Sequence, residues 1–86
     1  GMRVEYSRHF VKTFKKCPQK IQVAFRAKLA IFLSDQFAVQ LNNHALTGKY
    51  FGYRSINITG DWRAVFEQSD DDVFFITLGT HSQLYG

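Results

Sequence analysis

Eighty-six residues, 45% of them apolar and 16% aromatic, with a single proline, fit one folded domain and exclude both a two-domain chain and a disordered one. The net charge is +4, the only cysteine is Cys17, and neither a bilayer-spanning apolar run nor a signal-peptide pattern is present. That excludes an internal disulfide and a cysteine metal cluster, and points to a cytoplasmic protein with no membrane partner. Gly1 before Met2 reads as a scar of tag removal, so a single domain is expected over 1–86.

Arg3 to Tyr6 alternates apolar and charged residues and predicts a strand. Ser7 follows as an N-cap, with Tyr6 and Val11 placed to form a hydrophobic staple. Arg8 to Lys16 then predicts a short helix, with Phe10 and Phe14 one turn apart. Pro18 ends it and opens a second helix to about Gln36, striped by Ile21, Phe25, Leu29 and Phe32. Lys28 lies close to that stripe, so its stem is expected to snorkel outward. Through Lys28 the chain has eight basic side chains against Glu5 alone; beyond it three basic residues face six acids. Such a basic half suits a polyanionic partner.

Phe37 to Asn43 can add one more helical turn, and Asn42 to Phe51 reads as a loop or an edge segment. Three strands follow: Tyr53 to Ile58, Trp62 to Gln68, and Val73 to Leu78, the last apolar on both faces. On the first, Arg54, Ile56 and Ile58 share one face and Tyr53, Ser55 and Asn57 the other. On the second, Trp62, Ala64 and Phe66 oppose Arg63, Val65 and Glu67. His81 to Tyr85 is expected as a tail lying on the sheet. The fold class is therefore α+β: an N-terminal strand and a helical hairpin packed on a twisted, mainly antiparallel four-stranded sheet.

The chemistry-bearing residues cluster in the strand-rich half. His44-Ala45-Leu46-Thr47-Gly48 and Gly79-Thr80-His81 place imidazoles beside glycines at its two ends, with Asp61-Trp62-Arg63 between. Imidazole moves protons well near neutrality. Arg54 and Arg63, and more loosely Lys49, suit phosphate, because a guanidinium donates two parallel bonds to its oxygens. Trp62 and Tyr85 could stack on unpaired bases, although most aromatic side chains of a small domain fill its core. Asp61 also suits a plain turn, and His44 a helix-terminal cap.

Those motifs, in that order and together with Leu84-Tyr85, resemble the RelE/ParE superfamily of bacterial toxins over essentially the whole chain, and within it the YafQ-type messenger-RNA interferases. The resemblance implies a ribosome-dependent endoribonuclease held in check by a cognate antitoxin protein. It implies His44, Asp61 and His81 as catalytic residues and Trp62 and Tyr85 as neighbours of the site, with ribosome and messenger RNA as partners. No cofactor or metal is expected, since RNA carries its own nucleophile in the 2′-hydroxyl. YafQ-type chains usually carry a further histidine four residues before the Asp-Trp pair; here Asn57 stands there. A ParE-like gyrase poison and a non-catalytic family member are the alternatives.

Overall fold

The computed structural model describes residues 1–86. The expected strand and first helix form as β1 (Arg3–Tyr6) and α1 (Arg8–Lys16). Ser7 caps α1 by accepting from the Phe10 amide at 2.9 Å. Helix α2 spans Gln19–Ser34, shorter than expected at both ends. Pro18 stands before it with extended backbone, and Asp35 stops it by accepting the Phe37 amide on Oδ1 at 3.1 Å, a local turn that competes with the helix. A 3-10 turn, Val39–Leu41, follows.

The sheet has five strands, not the four expected. His44–Ala45 pairs antiparallel with β3 as a two-residue β2, so the polar segment becomes an edge. Strands β3 (Arg54–Asn57), β4 (Trp62–Ser69) and β5 (Asp72–Thr80) complete it in the order β1-β5-β4-β3-β2. Only the β1–β5 pair is parallel. The C-terminal segment is not a tail but a short helix, α3 (His81–Tyr85). No helix is long and apolar enough to cross a membrane.

One irregularity explains why β5 is apolar on both faces. Phe66 pairs with Phe75 and Val65 with Thr77, leaving Ile76 as an extra residue. The bulge shifts the alternation by one, so that Val73, Phe75 and Leu78 all join the main core. The Ile76 carbonyl accepts the Ser7 hydroxyl at 2.8 Å, which ties the start of α1 to the bulge.

The helical hairpin covers one face. There Phe75 meets Tyr6, Phe10, Phe25, Phe32 and Phe66, with ring centroids 5.3 to 6.2 Å apart. Lys28 is partly buried, and its Nζ donates to the Ile58 carbonyl at 2.9 Å, where the chain leaves β3. Across the sheet, α3 sets Leu84 on Val65 and Leu46, a second and much smaller cluster.

Candidate active site

The register fixes which side chains share the α3 side of the sheet, because directly paired residues point to the same face. One row runs His44, Ser55, Val65 and Thr77; the next runs Asn57, Arg63 and Gly79. Val65 and Leu46 pack beneath Leu84 of α3. This face therefore carries His44, Arg63 and Asn57 as the alternation predicts.

Helix α3 closes over the end of these rows. Thr80 and Gln83 cap it reciprocally: Gln83 N donates to Thr80 Oγ1 at 3.2 Å, and Thr80 N to Gln83 Oε1 at 2.9 Å. The approach is so close that a Cβ on Gly79 would lie 3.0 Å from Gln83 Oε1, which is why glycine precedes the cap. The His81 amide donates to the Asp61 carbonyl at 3.0 Å, so the start of α3 is pinned to the β3–β4 turn. Asp61 thus lies beside His81 through the backbone, with its side chain exposed.

Between α3 and the β2–β3 loop lies an open hollow of about 480 Å³, lined by His44, Thr47, Lys49, Tyr50, Gln83 and Tyr85 among others. Tyr85 places its ring edge-on to the His81 imidazole, centroids 4.9 Å apart. His81 itself is exposed and lies outside the lining of the hollow. Lys49 holds its ammonium 5.2 Å from the centre of the Tyr50 ring. Three of the expected site residues, His44, Lys49 and Tyr85, line this concavity; His81 adjoins it only through its ring contact with Tyr85, and Asp61 adjoins His81 through its carbonyl.

The hydrogen bonding of His44 is chemically informative. Its Nδ1 lies 2.7 Å from the Asn42 carbonyl oxygen, which can only accept. Nδ1 therefore carries the proton, and in the neutral ring Nε2 presents the lone pair. Asn42 offers that carbonyl from a left-handed conformation, φ +48°, which asparagine tolerates well.

Other expected residues lie elsewhere. Arg54 pairs with Ala45 and Phe66 and so points to the helix-covered face, where its Nε donates to Asn43 Oδ1 at 2.9 Å and its guanidinium lies over Phe37. Trp62 packs against the main core, again on the far side from His44. The two-residue period of the strand accounts for both placements: an even offset from Ile56 or from Ala64 and Phe66 turns a side chain toward the core residues. Arg63 is on the expected side, but its Nη1 is held by the carbonyls of Thr59, Gly60 and Trp62 at 3.0 to 3.2 Å. That ties the turn together and leaves Nε and Nη2 as remaining donors.

Two further features belong to this face. Tyr50, which like Trp62 and Tyr85 is an aromatic suited to stacking on a base, is a wall of the hollow. Buried without hydrogen-bond partners, Ser55 Oγ and Asn57 Oδ1 lie two residues apart on this same face of β3. Such orphaned oxygens are uncommon inside proteins and concentrate where a site has work other than stability. The signal for α3 itself was present: Thr80-His81-Ser82-Gln83 has the spacing of a capping box.

With this geometry in place, comparison with known proteins gives a consistent result. A family model described as "Bacterial toxin of type II toxin-antitoxin system, YafQ" matches residues 2–86. The mRNA interferase toxin YafQ of Escherichia coli K12 is 26% identical over 87 aligned positions, which cover 96% of this chain and 95% of that protein. The crystal structure of YafQ from E. coli BL21(DE3) superposes with a TM-score of 0.83 at 21% identity, covering both chains completely. The E. coli DinJ–YafQ toxin–antitoxin complex gives a TM-score of 0.79 at 22% identity, covering 99% of this chain and 98% of that one. The structural matches carry the fold, and the family model carries the assignment: this chain belongs to the YafQ family of bacterial type II toxin–antitoxin toxins.

Proposed function

We propose that the protein is a cytoplasmic endoribonuclease toxin that cuts messenger RNA on the ribosome without a metal, with His44 as general base and His81 as general acid. The observation that supports this is the hydrogen bond that fixes the tautomer of His44, a residue lining the hollow together with Tyr85, whose ring in turn meets the His81 imidazole. Its curated E. coli relative is named an mRNA interferase, which brings the same reaction to this chain.

Nε2 of His44 takes the proton of an RNA 2′-hydroxyl, and the oxygen attacks the adjacent phosphorus. The bond from phosphorus to the 5′-oxygen breaks, and His81 returns a proton to that leaving oxygen. The products are a 2′,3′-cyclic phosphate and a 5′-hydroxyl, with no net change in protons. Lys49 and the free donors of Arg63 stabilise charge on the phosphoryl oxygens. Asp61 holds the start of α3 in place through its carbonyl, which accepts the His81 amide. Tyr85 offers a face for an unstacked base. In this reading Arg54 and Trp62 support the scaffold and do not touch RNA.

The ribosome supplies the remainder of the RNA environment, and the basic ridge of Arg8, Lys12, Lys15 and Lys16 on α1 faces solvent to meet a polyanion. The cognate antitoxin is placed on the helix side. Between α1, α2 and β1 runs an open, mainly apolar groove of about 590 Å³ lined by Tyr6, Val11 and Leu29, with Lys15 and Arg26 at its border. That lining suits an acidic amphipathic segment that orders as it binds.

Mapping transcript ends after induction tests the assignment. Cuts in phase with codons are expected, absent when His81 is changed to Ala. An unbroken transcript pool accompanied by linearised DNA would overturn it in favour of a gyrase poison.

A further inference from the structure

We infer that Tyr50 is a positioning residue for His81, acting through Tyr85, an inference that rests on the ribonuclease reading above. Four rings form a continuous edge-to-face series from the β2–β3 loop to the C-terminal helix. Tyr53 and Tyr50 have centroids 6.5 Å apart at 82°, Tyr50 and Tyr85 6.0 Å apart at 86°, and Tyr85 and His81 4.9 Å apart at 64°. Each contact has the near-perpendicular geometry in which the positive edge of one ring meets the negative face of the next. A perpendicular contact fixes the plane of a ring, not only its place.

The need for such a device follows from the length of α3. Five residues cannot sustain a helix in water. The capping box fixes its first turn, and Leu84 anchors it to Val65 and Leu46. Neither restrains the imidazole ring, which projects from the first helical position into solvent. Tyr85 does, from four residues further along, the spacing that stacks side chains on one helix face. The Tyr85 ring is itself partly exposed to solvent. What stops its ring from swinging is Tyr50, buttressed in turn by Tyr53 and set in the 3-10 turn Gly48–Tyr50. The loop that carries Lys49 into the hollow therefore also sets the angle of a proton donor on a different element.

The test compares Tyr50→Phe with Tyr50→Leu in two readouts: cleavage of messenger RNA on programmed ribosomes, and the imidazole proton resonances of His81 and His44. Tyr50→Phe keeps the ring and is expected to preserve both. Tyr50→Leu keeps apolar bulk against the Leu46, Val65 and Leu84 cluster and is expected to lower kcat by about 10- to 100-fold with KM within about twofold, the cost of a misplaced catalytic group. The His81 resonances should shift as the Tyr85 ring reorients and its ring current on the imidazole changes, while those of His44 stay in place and the melting temperature is retained. Unchanged His81 resonances in Tyr50→Leu would overturn the inference whatever happens to the rate. A rise in KM with kcat retained would do so too, by making Tyr50 a direct RNA contact. Should the unsubstituted protein fail to cut messenger RNA, the ribonuclease reading falls, and the resonances still decide whether the ring series holds His81.

Discussion

On the helix-covered face of the sheet the buried residues are all apolar, and Phe66 and Phe75 are sealed among aromatic partners from three elements. On the α3 face only Leu46, Val65 and Leu84 form a buried cluster, and beside it lie a fully buried serine hydroxyl and an asparagine oxygen with no partner. Each orphaned group disfavours folding by about 1–3 kcal/mol. A chain this short tolerates that only because the other face supplies the stability. The lesson is a division of labour across a single layer. One face is packed to hold the sheet rigid, and the other keeps unpartnered polar groups and presents His44, Lys49 and His81 to solvent.

The sharpest way to break the comparison is to damage each face separately. Phe75→Ala removes the ring at the centre of the aromatic network and should lower stability by about 3–5 kcal/mol, read from urea unfolding. At that size much of the population unfolds, so activity is lost with the fold. His81→Ala should do the reverse. The side chain is exposed, so the unfolding midpoint should hardly move, while cleavage falls by about 10²- to 10⁴-fold, the usual weight of a general acid. If Phe75→Ala left the midpoint unchanged, or His81→Ala lowered it as much as Phe75→Ala does, the two faces would not be specialised in this way.

The covered face was legible in the sequence to a much greater degree than the other. Phe10, Phe25 and Phe32 declare themselves by helical spacing, and Ile56, Ile58, Ala64 and Phe66 by strand alternation, because burial of one side is the physical origin of both periods. Arg54 and Trp62 lie on the side away from His44, and they became site candidates by a different kind of reasoning. Residue type suggested the site, while their own alternation already assigned them to the core side. The β5 bulge could not be read in advance, since Ile76 fits an apolar run in either phase. Edge strand β2 is too short to have a period at all, and its pairing depends on a β3 that is distant in sequence. His44 and His81 were legible as candidates, but not their relation: the Asn42 carbonyl that fixes one ring and the tyrosine series that holds the other exist only after folding. Helix α3 was the avoidable miss, because its capping box is written in Thr80 and Gln83.

A smaller perturbation asks how firmly the two faces are joined. Ser7 works on both: its Oγ accepts the Phe10 amide at the start of the hairpin and donates to the Ile76 carbonyl at the bulge. The same bulge turns Thr77 toward the α3 face, where His9 lies 3.1 Å from its hydroxyl. Ser7→Ala should lower stability by about 1–2 kcal/mol, toward the upper end for an N-cap because two bonds are lost. Loss of less than about 0.5 kcal/mol in denaturant unfolding would mean that the bulge needs no tie to α1.

The smallest expected effect is a pH dependence confined to the helix side. Burial raises the pKa of the Tyr6 phenol above its ordinary value of 10.0, because the partly covered ring stacked on Phe75 disfavours the phenolate. A group raised on folding contributes its full stability below the unfolded pKa and loses it as pH climbs through the folded one. Stability should therefore hold at neutrality and decline above about pH 10. Tyr6→Phe removes the ionising group and keeps the ring, so the decline between about pH 9 and about pH 11 should become shallower, with the neutral-pH midpoint nearly unchanged. Cys17, half-buried and also raised, adds a decline of the same sign from about its ordinary 9.0, so the comparison is best made with Cys17→Ala as a common background. An alkaline limb identical with and without the Tyr6 hydroxyl would show that this edge of the packed face is wetter than its geometry indicates, and would narrow the contrast between the two sides of the sheet.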